Sequence, residues 1–163
     1  RDPVLIFENV MLYYKECEIG ENAGPVDIDR AAVRREGTDV SLITYGGSLF
    51  TPLEASEQLE TDSLSSDVID LLSLRPLDMD TVIASVSKTR RVVVVDEGWK
   101  SGSRSAEIGM RLAEEAFFEL DAPLARVCSE EVPIPYAQHL EQAAIPQTLK
   151  IIETVRKLMQ VKP

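Results

Sequence analysis

Four consecutive valines, Val92 to Val95, restrict the possible folds of this chain more than any other feature. β-branched residues favour extended backbone, and a short unbroken apolar run is typical of a strand that is buried on both faces. Such strands occupy the centre of parallel sheets that helices cover on either side. The run is far too short to span a bilayer. It therefore predicts the central strand of a helix-covered sheet.

Strand and helix signals alternate around this run. Further strands are predicted at 39–45, 67–72 and 124–128. The helix signals are Thr51 as an N-cap before Pro52, Asp78 as a second N-cap, a helix over about 105–119 and one that begins near Pro146. Buried stripes are expected at Ile108, Leu112, Ala113, Ala116 and Phe117, and at Leu149, Ile152, Val155 and Leu158. This alternation predicts an α/β fold in three layers, with a mainly parallel twisted sheet and helices on both faces.

The first 38 residues do not follow this rhythm. A strand-like segment at 4–7 leads into a polar stretch, 16–36, that carries glycines and a proline. We interpret residues 1–38 as the end of a preceding domain plus a linker, and residues 39–163 as the domain itself. The start, Arg1, is not a methionine, which fits a chain cut from a longer one or a processed start.

The charge balance limits the possible partners. The 163 residues carry a net charge of −11, which disfavours binding to nucleic acid or to an anionic membrane surface. A basic protein partner is the natural match, although an acidic surface can also serve solubility alone. Cys17 and Cys128 are far apart in sequence, and no secretory signal is present, so an intracellular location is expected.

Groups able to carry out catalysis are scarce. His139 is the only histidine, and Cys128 follows a predicted strand without a neighbouring cation. Phosphate-binding glycine motifs are absent from the sequence. Residues 101–105, rich in serine before a predicted helix, could hold an anion, but an ordinary capped loop is the better interpretation. The sequence thus predicts no catalytic, cofactor-binding or metal-binding residue, and Trp99 with Glu97 is expected at a subunit interface.

Nine short segments, taken together, resemble one enzyme family. They are 2–8, 36–40, 68–71, 74–78, 96–99, 106–108, 120–123, 132–136 and 145–146. In this order they are similar to segments of the β subunit of thiamine diphosphate-dependent 2-oxo acid dehydrogenases. Among these enzymes, the segments most resemble those of the pyruvate-specific ones. The resemblance implies the transketolase C-terminal fold, with residues 1–38 as the end of the pyrimidine-binding domain, which finishes at about residue 15, plus a linker. It also implies that thiamine diphosphate and Mg are bound outside this segment, so that the segment alone is inactive.

The resemblance implies an assembly role as well. The family's C-terminal domain contacts the α subunit and a second β subunit, and docks the basic subunit-binding domain of dihydrolipoyl acyltransferase. Asp121 falls on the family's acidic docking residue, and Glu119 and Glu130 are chosen as its neighbours from charge alone. Asp121 could instead simply end a helix in a turn. The implied compartment is a bacterial cytoplasm or a mitochondrial matrix.

Some positions depart from the family pattern. Leu72 stands where an arginine is usual, and Ser103, Ser105 and Lys100 replace two glycines and a proline. The conformation of the 100–105 loop is therefore not carried over. The alternatives that remain open are an acetoin or branched-chain 2-oxo acid enzyme, a transketolase or deoxyxylulose phosphate synthase domain, and a free-standing anion-binding α/β module.

Overall fold

The computed structural model describes residues 3, 10–14, 16, 18 and 24–161, without the side chains of residues 11 and 12. The strand expected at 4–7 and Cys17 lie outside these residues. Within them the strands are β1 (Ala32–Arg35), β2 (Val40–Thr44), β3 (Ser66–Asp70), β4 (Val92–Trp99) and β5 (Ala125–Ser129). The α-helices are α1 (Phe50–Leu59), α2 (Met79–Thr89), α3 (Arg104–Glu115), α4 (Gln138–Ala144) and α5 (Thr148–Met159). Short 3-10 turns cover Val10–Tyr14, Gly46–Leu49, Glu60–Asp62 and Phe117–Glu119.

The five strands form one sheet in the order β1-β3-β2-β4-β5. The pairs β2–β3, β2–β4 and β4–β5 are parallel, and β1 runs antiparallel to β3 at the edge. The predicted α/β fold with a mainly parallel sheet is therefore confirmed. The edge strand β1 was not predicted, because its sequence, Ala-Val-Arg-Arg, has no apolar alternation. The first described strand of the sheet begins at Ala32, upstream of residue 39, where the sequence predicted the start of the domain. That residues 1–38 end a preceding domain stays a prediction.

The four valines contribute side chains to two hydrophobic cores, one on each face of the sheet. Val93 and Val95 pack with side chains of α1 and α5, whereas Val92 and Val94 pack with α2 and α3. All four valines are at most 1% exposed. Burial of one such side chain contributes about 1.5–3 kcal/mol, so both faces require apolar residues at every position of this strand. The expectation of a strand buried on both faces is confirmed.

Helix starts were predicted with mixed success. Asp78 is the N-cap of α2, and its Oδ1 accepts a hydrogen bond from the Thr81 N–H at 3.1 Å. Thr51 is not an N-cap, because α1 begins at Phe50 and continues directly from the 3-10 turn. The Thr51 hydroxyl instead donates to the Ser48 carbonyl at 2.9 Å. The prediction at Thr51 was wrong because the turn upstream already supplies the helical backbone.

Three residues assigned to buried stripes lie at the surface. Phe117 is 62% exposed and Leu149 is 70% exposed, and Ala113 is exposed as well. The helix α3 ends at Glu115, and Ala116 leaves helical geometry with φ −139° and ψ 23°. This change turns Phe117 away from the core. Leu149 lies at the start of α5 on the side opposite the buried Ile151, Ile152 and Val155.

The central strand is longer than its valines. β4 continues to Trp99, where the sequence had predicted a loop from residue 96. The pairing with β5 shifts between Asp96 and Trp99, and Trp99 pairs with Ser129. Trp99 therefore lies on a strand end rather than in a loop. Among the residues described, no helix combines the length and apolar character needed to cross a membrane.

Candidate interface sites

A buried carboxylate organises the carboxyl end of the sheet. Asp96 on β4 is fully buried, and its Oδ1 accepts hydrogen bonds from the Tyr45 hydroxyl at 2.6 Å and the Gly98 N–H at 2.7 Å. Its Oδ2 accepts from the Ser105 N–H at 2.9 Å. The site lies where β2 and β4 end, between strands whose connections leave in opposite directions. Open α/β sheets place ligands at such a point.

Hydrogen bonds set the protonation states of this site. Burial would raise the pKa of Asp96, but hydrogen bonds from Tyr45, Gly98, Ser105 and Ser103 outweigh it and hold that pKa below its usual value. Burial and the bonded carboxylate together raise the pKa of Tyr45. The carboxylate therefore stays ionised and the phenol stays neutral. Neither group is poised to exchange a proton near neutral pH.

Asp96 also takes the place that an anion would need at the start of α3. The Ser105 N–H points to its carboxylate, and the Ser103 and Ser105 hydroxyls lie 2.6 Å apart, bonded to each other. The Ser101 hydroxyl and N–H both donate to Glu131 Oε1, at 2.6 and 3.1 Å. These N–H and hydroxyl donors of Ser101, Ser103 and Ser105 are thus used within the domain, which leaves fewer of them for an anion.

The predicted interface residues Glu97 and Trp99 lie just beyond this carboxylate. The side chains of both are exposed, that of Trp99 to 47%. Partial desolvation and the charge of Asp96 raise the pKa of Glu97. The segment after β5, which includes the start of α4, carries further exposed apolar side chains. We call Trp99, Val132, Ile134, Tyr136 and Leu140 the carboxyl-end face.

The predicted docking residue Asp121 lies at the opposite end of the sheet. Its Oδ1 accepts from Arg90 Nε at 2.8 Å, and Arg91 lies 3.9 Å from its other oxygen. Arg90 also pairs with Glu119 at 3.4 Å, so the structure brings Glu119 and Asp121 together. Asp121 is 20% exposed at its side chain.

Glu130 is separate from these two acids. It follows β5, whereas Asp121 precedes it, and a five-residue strand is about 17 Å long. Glu130 pairs with Lys150 at 2.7 Å. The expectation that Glu130 neighbours Asp121 was wrong, because charge alone does not reveal that a strand separates the two positions.

Sequence reasoning missed an aromatic surface beside Asp121. Phe117 and Phe118 pack edge to face, with ring centres 5.4 Å apart, and Phe118 is 91% exposed. They border a groove of about 560 Å³ whose other apolar walls include Gly109, Ala113, Pro123 and Leu124, with Asp121 at its edge. We call this the Phe117–Phe118 groove. No sequence signal indicated this surface, because the helical spacing was continued to Phe117 although α3 ends at Glu115.

The remaining reactive groups do not converge. His139 is exposed on α4, and Cys128 is buried with its thiol 3.4 Å from the Ser105 hydroxyl. In the described part of the chain, no three His, Cys, Asp or Glu side chains are placed to hold a metal ion. The Ser105 N–H at the start of α3 is bonded to Asp96, and the Ser101 N–H before the helix is bonded to Glu131. These residues do not fit a diphosphate with its magnesium.

Comparison with known proteins gives a consistent result. The family model described as "Transketolase, C-terminal domain" matches residues 29–151. The chain is 39% identical over 161 residues, 99% of its length, to the pyruvate dehydrogenase E1 component subunit beta of Rickettsia bellii. It is 40% identical over 160 residues to the mitochondrial subunit beta-1 of Arabidopsis thaliana, covering 96% of the chain. These alignments cover 50% and 44% of the two relatives, so the chain spans about half of their length.

A solved structure supports the fold. The structure described as "Split gene transketolase, inactive beta4 tetramer" superposes with a TM-score of 0.77 over 90% of this chain and 48% of its own, at 24% identity. This likeness concerns the fold alone. The family match covers the sheet, Asp96 and Asp121 together. The chain therefore belongs to the family of transketolase C-terminal domains.

Proposed function

We propose that the chain is the C-terminal assembly domain of the β subunit of a 2-oxo acid dehydrogenase, with pyruvate as the substrate of the whole enzyme. One observation carries this proposal: nearly the entire chain is similar, at 39% identity, to a pyruvate dehydrogenase β subunit of twice its length. We choose pyruvate over acetoin or a branched-chain 2-oxo acid as the substrate because the similar proteins of Rickettsia bellii and Arabidopsis thaliana are both named pyruvate dehydrogenase subunits.

The chemistry of the described residues supports a role in assembly. The buried Asp96–Tyr45 pair is locked by hydrogen bonds, and His139 stands alone at the surface. Two exposed apolar surfaces, the carboxyl-end face and the Phe117–Phe118 groove, lie at opposite ends of the sheet. Large exposed apolar surfaces mark contacts with other proteins.

The whole enzyme supplies what this domain lacks. Thiamine diphosphate and Mg are placed outside the chain, and the cofactor supplies the chemistry of decarboxylation. The partners are the α subunit and a second β subunit, with Trp99 of the carboxyl-end face and the nearby Glu97 at a subunit contact. The compartment is a bacterial cytoplasm or a mitochondrial matrix, in line with bacterial and mitochondrial relatives.

The other end of the sheet is the docking site for the basic subunit-binding domain of dihydrolipoyl acyltransferase. Asp121 and Glu119 provide the acidic groups there, and the net charge of −11 favours a basic partner. Glu130 would contribute only if the partner also reached the far end of β5. Arg90 already pairs with both nearby acids, so the partner's cations have to compete with it.

The proposal is tested by measuring thiamine diphosphate binding and pyruvate decarboxylation with the purified chain and with the complete β subunit combined with its α subunit. The chain alone is expected to do neither, and the combined subunits to do both. Turnover by the purified chain would sink the proposal. A complete subunit that is inactive with pyruvate but active with another 2-oxo acid would overturn the substrate assignment.

A further inference from the structure

The last residues of β4 do not continue the regular ladder with β5. Asp96 pairs with Cys128 and Trp99 pairs with Ser129, so β4 advances three residues while β5 advances one. Extra residues in one strand form a bulge, which bends the strand and re-aims the side chains beside it. This bulge directly follows the buried part of β4, and all of its residues from Glu97 to Trp99 are exposed.

Asp96 fixes the backbone of this bulge. Its Oδ1 accepts a hydrogen bond at 2.7 Å from the N–H of Gly98, the residue between the exposed Glu97 and Trp99. The Glu97 carbonyl accepts from the Ser129 hydroxyl at 2.7 Å, which ties the bulge to β5. A Cβ on Gly98 would lie 3.0 Å from Asp96 Oδ1, so the carboxylate leaves little room for a side chain there.

The carboxylate is itself held by two other elements. The Tyr45 hydroxyl, after β2, donates to Oδ1 at 2.6 Å, and the Ser105 N–H of α3 donates to Oδ2 at 2.9 Å. An ionised carboxylate only accepts hydrogen bonds, so it suits these donors and the Gly98 N–H together. An asparagine would aim its amide nitrogen at one of the backbone N–H groups and lose that bond. The charge of Asp96 therefore sets where Gly98 lies relative to β2 and α3.

A fixed bulge matters because of the side chain that it carries. Trp99 is the only tryptophan of the chain, and it is 47% exposed on the carboxyl-end face. Aromatic anchors contribute most at interfaces when they are held in the bound geometry beforehand. We infer that Asp96 is a positioning residue for subunit assembly, because its bond to the Gly98 N–H holds the bulge that presents Trp99 to the partner subunit. This inference rests on the proposed subunit contact at Trp99.

The test is a double-mutant cycle on the complete β subunit, which is mixed with its α subunit over a concentration series and followed by light scattering. The variants are Asp96→Asn, Trp99→Ala and their combination. We expect each single substitution to weaken assembly about tenfold. The combination should weaken it no more than Trp99→Ala alone, because Asp96 acts through Trp99. Gly98→Ala, which displaces residue 98 and keeps the buried charge, should weaken assembly as Asp96→Asn does.

A control variant separates positioning from a general loss of stability. Gly37→Ala acts at the opposite end of the sheet, where a Cβ would lie 2.3 Å from the Ser66 carbonyl carbon. It should lower the urea midpoint and still assemble like the parent subunit. In the chain alone, the fluorescence of Trp99 and its quenching by acrylamide should change in Asp96→Asn but not in Gly37→Ala. Urea unfolding verifies that the variants are folded under the assay conditions.

The possible failures have different meanings. Parent-like assembly by Trp99→Ala overturns the proposed subunit contact at this residue, and the inference with it. Weaker assembly by Trp99→Ala, with parent-like assembly by folded Asp96→Asn and Gly98→Ala, overturns the inference and leaves the contact intact. Equal weakening by Gly37→Ala, or losses that simply add in the combined variant, would show that Asp96 acts through stability alone and would also overturn the inference.

Discussion

Arg90 holds Asp121 by two bonds, one from its side chain and one through its backbone. Its Nε donates to the Asp121 carboxylate at 2.8 Å, and its carbonyl accepts from the Asp121 N–H at 2.9 Å. Arg90 has the left-handed φ of 60° that ends α2, so its position is fixed. The residue expected to dock a partner is thus also a joint between α2 and the segment before β5.

Because Asp121 has both roles, substitutions of Arg90 and of Asp121 should change the affinity for the partner in opposite directions. Arg90→Met should strengthen binding of the basic acyltransferase domain severalfold at low salt, because the partner no longer competes with Arg90 for the Asp121 carboxylate. Asp121→Asn should weaken that binding. Titration calorimetry measures both changes. If Asp121 only ends a turn, neither substitution will alter the affinity, although both will still lower the unfolding temperature.

The buried Asp96 predicts a pH dependence of stability. Hydrogen bonds hold its folded pKa below its ordinary value of 3.8, so its stabilisation is complete above that pH and is lost as the pH falls through the folded pKa. Asp96→Asn should cost about 2–3 kcal/mol at pH 7 and should flatten the loss of stability below about pH 4. Urea unfolding at several pH values measures this free energy of unfolding.

Tyr45→Phe, which removes one hydrogen-bond donor to Asp96, should lower the free energy of unfolding by about 1 kcal/mol. A parallel acid profile for parent and Asp96→Asn would contradict the assignment.

Gly37 is required by close packing. A Cβ there would lie 2.3 Å from the carbonyl carbon of Ser66, which is backbone and cannot move aside cheaply. Gly37→Ala should therefore destabilise the chain by about 3 kcal/mol, the upper end for overpacking. Gly24→Ala is the matched control, since a methyl group at that residue would meet no atom of the described residues within 4 Å apart from its own chain neighbours. Equal unfolding midpoints for the two variants in urea would contradict this account.

Asp78 connects a helix start to the edge of the sheet. Besides capping α2 through Thr81, its Oδ2 accepts from the Ala31 N–H at 2.9 Å, directly before β1. Asp78→Ala should cost about 1–2 kcal/mol through the lost cap and should also loosen β1. In Asp78→Ala, the amide hydrogens of residues 31–35 should exchange faster than in the parent chain. In Thr81→Val, which keeps the bond to Ala31, they should exchange at the parent rate. Unchanged exchange there in Asp78→Ala would show that β1 does not depend on this bond.

Much of the architecture was predictable because local patterns express it. The valine run indicated burial on both faces, the strand–helix alternation indicated parallel pairing, and Asp78 marked a helix start. β1 was not predictable, because its place depends on pairing with β3 and on an ion pair of Arg34 with Asp70 at 2.7 Å. The extension of β4 to Trp99 likewise depends on its partner strand rather than on its own residues.

By itself, the sequence determined the fold class, the family resemblance and the scarcity of catalytic groups, because these follow from residue types in order along the chain. Only the tertiary structure decided which groups meet. It joined Asp96 to Tyr45 and Ser105, separated Glu130 from Asp121 by the length of β5, and turned Phe117 and Phe118 outward beside Asp121. The physical reason is that hydrogen bonds, ion pairs and grooves form between residues distant in sequence, and charge or periodicity along the chain does not encode their distances.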